Sequence, residues 1–211
     1  MNYYQLPLGP LGTNCYIVSN AKKECLIIDP GEESQKIIQY VNTKQLKPLA
    51  VLLTHAHFDH IGALDEVRKA YSIPAYVHKK EANWLADASL NGSSHFLMGQ
   101  SIVQQPAEKI ITDEGKLSIG DFNFAIFETP GHSPGSVSYY AKEDGYLFSG
   151  DVLFKGSIGR TDLPGGSMDV LMQSIHKKIL VLPEDTIILS GHGPVTLLQD
   201  EMDANPFLNG F

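Results

Sequence analysis

Short apolar runs and helical patterns alternate along the first third of the chain. Residues 15–19 and 25–29 are apolar runs separated by a polar turn, which predicts a β-hairpin. Apolar positions recur at helical spacing over 34–45, which predicts a helix. The continuous apolar run 49–53 predicts a central strand covered on both faces, and the pattern over 62–71 predicts another helix. This order of strands and helices is typical of an α/β fold.

The rest of the chain repeats this order of elements. A strand is predicted over 73–78 and a short helix over 79–88. The polar stretch 91–106 has no period, so we expect a loop there that could cover a site as a lid. Alternating apolar residues and bounded apolar runs predict further strands over 120–128, 137–140, 146–149 and 186–189, and helical spacing predicts helices over 167–181 and 195–204.

This succession of elements favours one domain built from two similar halves. Each half, about 1–110 and 111–211, has strands in its middle and helices at its ends, which predicts two sheets packed together and covered by helices outside. A chain of 211 residues with 43% hydrophobic residues is long enough to bury a sizeable core. We therefore expect a single α/β domain over 1–211.

Metal-capable side chains crowd directly behind the predicted strand 49–53. His55 and His57 are two residues apart, so in an extended segment they project to the same side. Asp59 and His60 follow where the chain must turn into the next helix, which lets them aim at a second point nearby. One short segment therefore supplies ligands for two adjacent ions, which predicts a two-metal hydrolase.

Three more metal-capable residues come after predicted strands. His132, Asp151 and His192 each directly follow a glycine, which lets the backbone approach an ion closely, while the strand gives the ligand a rigid base. Taken singly, each is more often a turn or capping residue than a metal ligand. Together with the first cluster they make seven nitrogen and oxygen ligands, which is enough for two ions that share a bridging carboxylate.

Composition narrows the partners of the protein. A formal net charge of −8 argues against nucleic-acid binding through a basic face, although not against a small phosphate-bearing substrate. The first residues do not resemble a signal peptide, and no apolar run approaches the ~20 residues that span a bilayer. Cys15 and Cys25 lie in apolar runs and are expected to be buried thiols rather than a disulfide. We expect a cytoplasmic protein that acts on a small-molecule substrate, without nucleic-acid or membrane partners.

The histidine and aspartate motifs resemble those of the metallo-β-lactamase superfamily. The resemblance rests on residues 54–60 (Thr-His-Ala-His-Phe-Asp-His), followed in order by His132, Asp151 and His192, and it covers nearly the whole chain. It implies an αββα four-layer sandwich, with two mixed β-sheets face to face, helices outside and the metals at one edge of the sheets. It also implies a division of the ligands, in which His55, His57 and His132 hold one ion, Asp59, His60 and His192 hold the other, and Asp151 bridges both.

Three further segments are similar to a narrower branch of this superfamily. Residues 150–154, 159–162 and 205–207 resemble the small glyoxalase II-like, or hydroxyacylglutathione hydrolase-like, bacterial hydrolases. The implied substrate is a thioester of a small thiol. Two divalent ions, expected to be zinc with iron or manganese as alternatives, would hold a bridging hydroxide that attacks the substrate carbonyl. Asp59 would act both as a ligand and as the catalytic group that orients this hydroxide.

The C-terminal segment of this chain differs from that of the glutathione-hydrolysing enzymes of this branch. Glutathione-hydrolysing enzymes carry a basic C-terminal extension, whereas residues 200–211 of this chain contain no Lys or Arg. Arg160 and Lys155, close in sequence to Asp151, are therefore the candidates for binding a substrate carboxylate. Arg160 is equally well explained as a brace paired with Asp162.

Other functions stay open on the sequence alone. The superfamily includes a mononuclear-iron persulfide dioxygenase, which needs only three ligands of the kinds found at His55, His132 and Asp151. Phosphodiester cleavage would use the same metal cluster, but the chain is acidic and has no basic arm for RNA. A metal-stabilised binding module fits poorly, because closed structural zinc sites normally have four ligands, often cysteines. True β-lactamases are usually exported, which disfavours that activity in a chain without a leader.

Overall fold

The computed structural model describes residues 1–209, and these form two compact units. The expectation of one domain stays a prediction, and residues 210–211, with which that domain would end, lie outside the described range. Unit 1 consists of Met1–Thr112 and Ser118–Phe122, and unit 2 consists of Asp113–Leu117 and the chain from Asn123 onward.

Unit 1 contains a six-stranded mixed sheet. Its strands, whose spatial order follows the chain, are β1 (Asn2–Leu8), β2 (Thr13–Ser19), β3 (Glu24–Ile28), β4 (Lys47–Leu52), β5 (Ala75–His78) and β6 (Lys109–Ile111). The first three strands pair antiparallel, and β3 to β6 pair parallel. The change to parallel pairing begins where helices start to connect the strands, as parallel strands require.

The apolar runs of the sequence form the centre of this sheet. The predicted hairpin is confirmed, because β2 and β3 pair with Tyr16 opposite Ile28. β4 lies between β3 and β5, and residues 50–53 are fully buried, which explains why this strand is a continuous apolar run. The sequence does not predict β1, an edge strand whose residues are mostly exposed or half-buried and include Pro7.

Helices α1 (Ser34–Thr43) and α3 (Leu64–Tyr71) pack against each other in unit 1. They bury Ile37 and Leu64, among other residues, in the apolar core of that unit. Two shorter helices are α2 (Phe58–Ile61) and α4 (Ser93–Phe96). The prediction of a helix over 79–88 is wrong, because the chain forms two three-residue 3₁₀ turns there, Lys79–Glu81 and Trp84–Ala86.

The stretch 91–106, predicted to be a loop, contains the short helix α4, and it has a fixed stem and an exposed tip. The Asn91 side chain is fully buried and donates to the carbonyls of Trp84 and Ile102, at 3.0 and 2.9 Å. The Gln104 side chain accepts from the backbone N–H of Asp65 at 3.0 Å. Met98, near the tip, is fully exposed. The stem is therefore part of the framework of unit 1, and only the tip is free to act as the predicted lid.

A second six-stranded sheet lies mainly in unit 2. Its spatial order is β14 (Thr196–Leu197), β13 (Ile187–Ser190), β10 (Tyr146–Gly150), β9 (Val137–Ala141), β8 (Phe122–Glu128) and β7 (Gly115–Ile119). A separate two-stranded hairpin is formed by β11 (Leu153–Phe154) and β12 (Ser157–Ile158). β10 pairs parallel with β13 and antiparallel with β9, so this sheet is also mixed. The strands β11, β12 and β14 have two residues each, so they are too short to show an alternation of apolar and polar residues in the sequence.

The helices of unit 2 are α5 (Met168–Ser174), α6 (Leu198–Ala204) and α7 (Pro206–Asn209). The predicted helix over 167–181 is confirmed in place, but its second half, Ile175–Ile179, is a π-helix. The Ser167 side chain caps α5 by accepting from the backbone N–H of Val170. The helix predicted over 195–204 begins later, at Leu198 as α6, and the residues before it form β14.

The predicted fold class is confirmed at this level, since the chain forms two large mixed sheets accompanied by helices. Cys15 and Cys25 are free and buried in neighbouring strands, as expected. Burial raises the pKa of the Cys25 thiol to about 12. Among residues 1–209, the helices are all too short or too polar to cross a bilayer.

Candidate metal centre

The first group of predicted ligands lies where β4 ends in unit 1. His55 and His57 occupy an extended segment, and Asp59 and His60 lie in α2, which follows at once. The centroid of the His55 ring lies 4.9 Å from that of His57 and 4.0 Å from that of His60. All four side chains are buried. The end of the strand therefore carries a compact group of three imidazoles and one carboxylate.

Asp29, directly after β3, forms hydrogen bonds with residues at both ends of the segment that carries this group, Thr54 and His60. Its Oδ1 accepts the backbone N–H of Thr54 at 2.8 Å. Its Oδ2 accepts the Thr54 hydroxyl at 2.6 Å and Nδ1–H of His60 at 2.9 Å. Because the hydroxyl donates to Asp29, its oxygen is left to accept from Nδ1 of His55, 3.1 Å away. One carboxylate therefore orients His60 directly and His55 through Thr54.

These contacts leave Nε2 of His60 as the nitrogen that could bind a metal ion. A ring nitrogen that donates its hydrogen leaves the other nitrogen with a lone pair, as in metal-binding histidines held by an outer carboxylate. Nε2 of His60 lies 3.6 Å from Oδ2 of Asp59, an oxygen that also accepts the Thr13 hydroxyl at 2.8 Å. That distance is too long for a hydrogen bond. It suits two ligands of one tetrahedral zinc ion, which lie about 3.4 Å apart for bonds of about 2.0–2.2 Å.

A second buried carboxylate supports the backbone between His55 and His57. Glu81 is fully buried, and its Oε2 accepts the backbone N–H of Ala56 at 2.6 Å. The Trp84 ring lies 5.6 Å from the His57 ring, centroid to centroid. Glu81 and Trp84 belong to the two turns that replace the predicted helix, so the irregular backbone there places both residues beside the ligand segment.

The second group of predicted ligands lies in unit 2, at the ends of strands. Asp151 follows β10, and His192 follows the neighbouring strand β13. Oδ2 of Asp151 lies 3.6 Å from Nε2 of His132 and 3.4 Å from Nε2 of His192. Both distances again exceed a hydrogen bond and fit ligand pairs that share an ion. The same carboxylate oxygen therefore faces two imidazoles at once.

The backbone after the β11–β12 hairpin orients His132. Nδ1–H of His132 donates to the carbonyl oxygen of Arg160 at 2.8 Å, which leaves Nε2 to face Asp151. Gly159, the preceding residue, packs so closely on Asp151 that a Cβ there would collide with the Asp151 carbonyl oxygen. The segment 159–162, noted in the sequence, thus holds two ligands through its backbone.

The two predicted substrate-binding residues differ in their surroundings. The Arg160 guanidinium forms a two-point ion pair with Asp162, at 2.8 and 2.9 Å. This contact lowers the pKa of Asp162 to about 2 and raises the pKa of Arg160. Lys155, at the exposed turn of the β11–β12 hairpin, has no hydrogen bond or ion pair with any residue of 1–209. Arg160 is therefore engaged as a brace, whereas Lys155 is available.

The donor set fits divalent metal ions. Each of the seven predicted ligands belongs to a group of His and Asp side chains that could hold such an ion, and neither cysteine takes part. Imidazole nitrogens and carboxylate oxygens suit zinc, iron and manganese. Sequence reasoning missed Asp29, Thr13 and Glu81, which hold the ligands. The signal for Asp29 was present as an aspartate at a strand end, but its Asp-Pro-Gly context indicated only a turn.

Comparison with known proteins places this site in a family. The model of the metallo-β-lactamase superfamily matches residues 8–192. The probable metallo-hydrolase YqgX of Bacillus subtilis is 56% identical over 211 residues, which cover 100% of this chain and 99% of the relative. The hydroxyacylglutathione hydrolase GloC of Haemophilus influenzae is 35% identical over 210 residues, which cover 99% of each chain.

Solved structures agree with this assignment. The crystal structure of BLEG-1 B3 metallo-β-lactamase has a TM-score of 0.97 and 56% identity, covering 99% of this chain and 100% of that one. The structure of TTHA1623 in a di-iron-bound form has a TM-score of 0.86 and 40% identity, covering 97% and 100%. These matches confirm the predicted metallo-β-lactamase fold. The chain therefore belongs to the metallo-β-lactamase superfamily and is a hydrolase that depends on divalent metal ions.

Proposed function

We propose that the protein is a binuclear hydrolase whose two groups of ligands together bind two divalent ions, with zinc as the first choice. His55, His57 and His132 would hold one ion, Asp59, His60 and His192 the other, and Asp151 would bridge them. The observation that carries this proposal is the position of Oδ2 of Asp151, 3.6 and 3.4 Å from two metal-binding nitrogens. A bridging carboxylate oxygen needs such a position, because it must serve one ion beside each imidazole.

The reaction that we propose is the hydrolysis of a thioester of a small thiol. The similarity to GloC over 99% of both chains supports this substrate class. Water adds to the thioester carbonyl, the C–S bond breaks, and the thiolate leaves and takes up a proton from solvent. The bound ions would polarise the carbonyl and lower the pKa of water to about 7.

The protein groups around the ligands have separate roles in this proposal. Asp59, held by the Thr13 hydroxyl, would accept a hydrogen bond from the attacking water and so orient it. Asp29 and the Arg160 carbonyl keep Nδ1 of His60 and His132 protonated, so that these rings bind as neutral ligands. Lys155 would bind an anionic group of the substrate, because its ammonium is exposed and available, whereas Arg160 is paired with Asp162.

The test combines metal content with a substrate panel. We expect about two divalent ions per chain and metal-dependent hydrolysis of an acyl-thioester. His57→Ala and Asp151→Ala should lose metal and activity together, while His176→Ala, at an exposed histidine on the π-helix, should keep both. A fully active variant without metal would refute the mechanism. One iron per chain with oxygen uptake on a persulfide would instead support a dioxygenase.

A second candidate activity is β-lactam hydrolysis. The similarity to BLEG-1, at 56% identity and a TM-score of 0.97, favours it specifically. The chemistry is the same, because water attacks a carbonyl and the amide C–N bond of the ring breaks. Comparison of kcat/KM for an acyl-thioester and a chromogenic cephalosporin separates the two candidates. We expect the thioester to be preferred, and the opposite ratio would make β-lactam hydrolysis the better proposal.

The measurement of metal content and the substrate panel also test the identity of the metal and the absence of a nucleic-acid partner. The di-iron form of TTHA1623 makes iron the main competitor of zinc. We propose a small-molecule substrate and no nucleic-acid partner, for which the net charge of −8 is the support. A phosphodiester in the panel tests this point, since its efficient cleavage would overturn the thioester assignment.

A further inference from the structure

Two buried polar side chains near the end of the chain hold a hairpin turn of unit 2. Glu201, in α6, is only 2% exposed, and Asn205, which ends that helix, is fully buried. Oε2 of Glu201 accepts the backbone N–H of Gly156 at 2.7 Å and Nδ2–H of Asn205 at 2.8 Å. Its Oε1 accepts the Thr196 hydroxyl at 2.7 Å. The carboxylate is therefore satisfied from three sides without a cationic partner among these contacts.

Asn205 completes the attachment of the hairpin. Its Nδ2 also donates to the Ser157 carbonyl at 3.1 Å and reaches the Phe154 carbonyl at 3.5 Å. Its Oδ1 accepts the backbone N–H of Phe207 at 3.0 Å, which starts α7. The two side chains thus bind two backbone groups of the β11–β12 hairpin, the N–H of Gly156 and the carbonyl of Ser157, and they lie next to a third, the carbonyl of Phe154. The segment 205–207, noted in the sequence, acquires a physical role that its position far along the chain does not indicate.

The hairpin and the two residues that follow it contact each predicted ligand of unit 2. It begins two residues after Asp151, and the backbone that leaves it packs on Asp151 at Gly159. The next carbonyl, that of Arg160, accepts Nδ1–H of His132. The Phe154 ring lies edge-on to the His192 ring, with centroids 6.1 Å apart and planes at 87°. A shift of this hairpin would therefore move the supports of all three ligands together.

We propose that Glu201 and Asn205 form a clasp that positions the metal ligands of unit 2 through the β11–β12 hairpin. The inference rests on the proposed function only in taking His132, Asp151 and His192 as ligands. The clasp bonds to backbone groups, so it fixes the path of the hairpin while leaving the side chain at its tip, Lys155, free to vary. Both clasp members are positioning residues, because the contacts described above reach the predicted ligands only through the hairpin.

The test compares four variants of the full-length, metal-loaded protein. Glu201→Ala removes all three bonds of the carboxylate, and Asn205→Ala removes the amide but leaves the bond between Glu201 and Gly156. Glu201→Gln is the conservative variant, because its amide oxygen can still accept at the Oε2 position while the Thr196 hydroxyl reverses its role. Asp203→Asn is the matched control, since it removes a charge on the exposed face of the same helix. Metal affinity is measured by chelator competition, and amide hydrogen exchange is followed over residues 153–158.

We expect Glu201→Ala and Asn205→Ala to weaken metal binding by about 10–100-fold and to speed hydrogen exchange in the hairpin. Glu201→Gln and Asp203→Asn should stay within about threefold of the wild-type affinity. If Glu201→Ala does not fold, Asn205→Ala carries the test. A lower Tm with unchanged metal affinity and unchanged hydrogen exchange in the hairpin would overturn the inference, because Glu201 and Asn205 would then stabilise the fold without positioning the ligands. Failure of the proposed function is a separate result, in which the wild-type protein itself binds no metal.

Discussion

A histidine binds a metal ion through a nitrogen without a proton, and the partner of the other nitrogen decides which one that is. In this protein the partner of Nδ1 is a carboxylate for His60, a hydroxyl for His55 and a backbone carbonyl for His132. A backbone carbonyl persists through any substitution of its own side chain. The Asp29 carboxylate does not, so the orientation of the unit 1 histidines can be tested by a single substitution.

Replacing Asp29 by Asn should weaken metal binding by about 10–100-fold. An amide has one acceptor oxygen, so it cannot accept the Thr54 backbone N–H, the Thr54 hydroxyl and His60 as the carboxylate does. Chelator competition measures the loss. Asp121→Asn is the control, because Asp121 is an exposed partner of Lys22. Equal affinity of the two variants would mean that Asp29 has no part in orienting the ligands.

Because of its ion pair with Arg160, the Asp162 carboxyl group is predicted to stay ionised at a lower pH than an ordinary aspartate. The hydrogen bonds from Arg160 lower the pKa of Asp162 to about 2, against about 3.9 in an unfolded chain. The pair therefore contributes fully above pH ~4, and its contribution is lost as the pH falls through about 2. An NMR titration of the Asp162 carboxyl carbon should show this midpoint. In Arg160→Gln the midpoint should rise towards the ordinary value, and an unchanged midpoint would mean that Arg160 does not cause the low pKa.

At the scale of elements, the ends of strands combine ligands with glycines that leave no room for a side chain. The clearest case is Gly159, whose added Cβ would collide with the Asp151 carbonyl oxygen. A second case is Gly131, before His132, where a Cβ would collide with the backbone of Leu171 in α5. Close backbone contact thus fixes the position of the residues that carry the ligands.

Gly159→Ala should therefore reduce both stability and metal affinity. Overpacking typically costs about 1–3 kcal/mol, and the displaced Asp151 backbone would carry its side chain with it. Gly145→Ala is the control, because Gly145 has a φ of +69° and open space, so only backbone strain of about 1 kcal/mol is added. Denaturant unfolding and metal titration should show that both variants lose stability but only Gly159→Ala loses metal affinity. Equal metal affinity would show that the segment tolerates a shift.

Strong periods in the sequence were sufficient to predict most of the long elements, although not the strands β1 and β7. The apolar run 49–53 became the buried strand β4, and the spacing of apolar residues located α1 and α3. Short elements escaped, because the two-residue strands β11 and β12 are held by Glu201 and Asn205, some 45 residues later in the chain. The 79–88 segment looked helical, but Glu81 turns inward to bond Ala56 instead. Long-range partners of this kind have no local signal.

The predicted ligands were recognisable in the sequence for a different reason. His55, His57, Asp59 and His60 stand in one segment, so their chemistry is visible without any knowledge of the fold. The residues that orient them are scattered, and Thr13 and Asp29 look like ordinary strand and turn residues. Their role depends on which strands are neighbours. The sequence therefore indicates what binds, and the structure adds what holds the binding groups in place.

At the scale of the whole molecule, metal binding is expected to stabilise the native state. An ion that binds only the folded protein adds about 2.7 kcal/mol at a hundredfold excess over its Kd. For a chain of this length that corresponds to a shift of about 5–10 °C in Tm. Calorimetry with and without a chelator, followed by readdition of zinc, measures the shift. A Tm that does not respond to metal removal would contradict native-state binding.

The loop over 91–106 has a consequence for how this enzyme could acquire new substrates. The backbone N–H of Phe58, which stands between two predicted ligands, donates to the carbonyl of Asn91 in the buried stem at 3.0 Å. Insertions or deletions in that stem would therefore disturb catalysis itself. Met98, at the tip, carries no such constraint, since its side chain is fully exposed, whereas the half-exposed Phe96 ring stacks on the Phe58 ring with centroids 5.9 Å apart. Laboratory evolution should therefore accept length changes at the tip and reject them at the stem, which makes residues 97–101 the place to graft a new specificity.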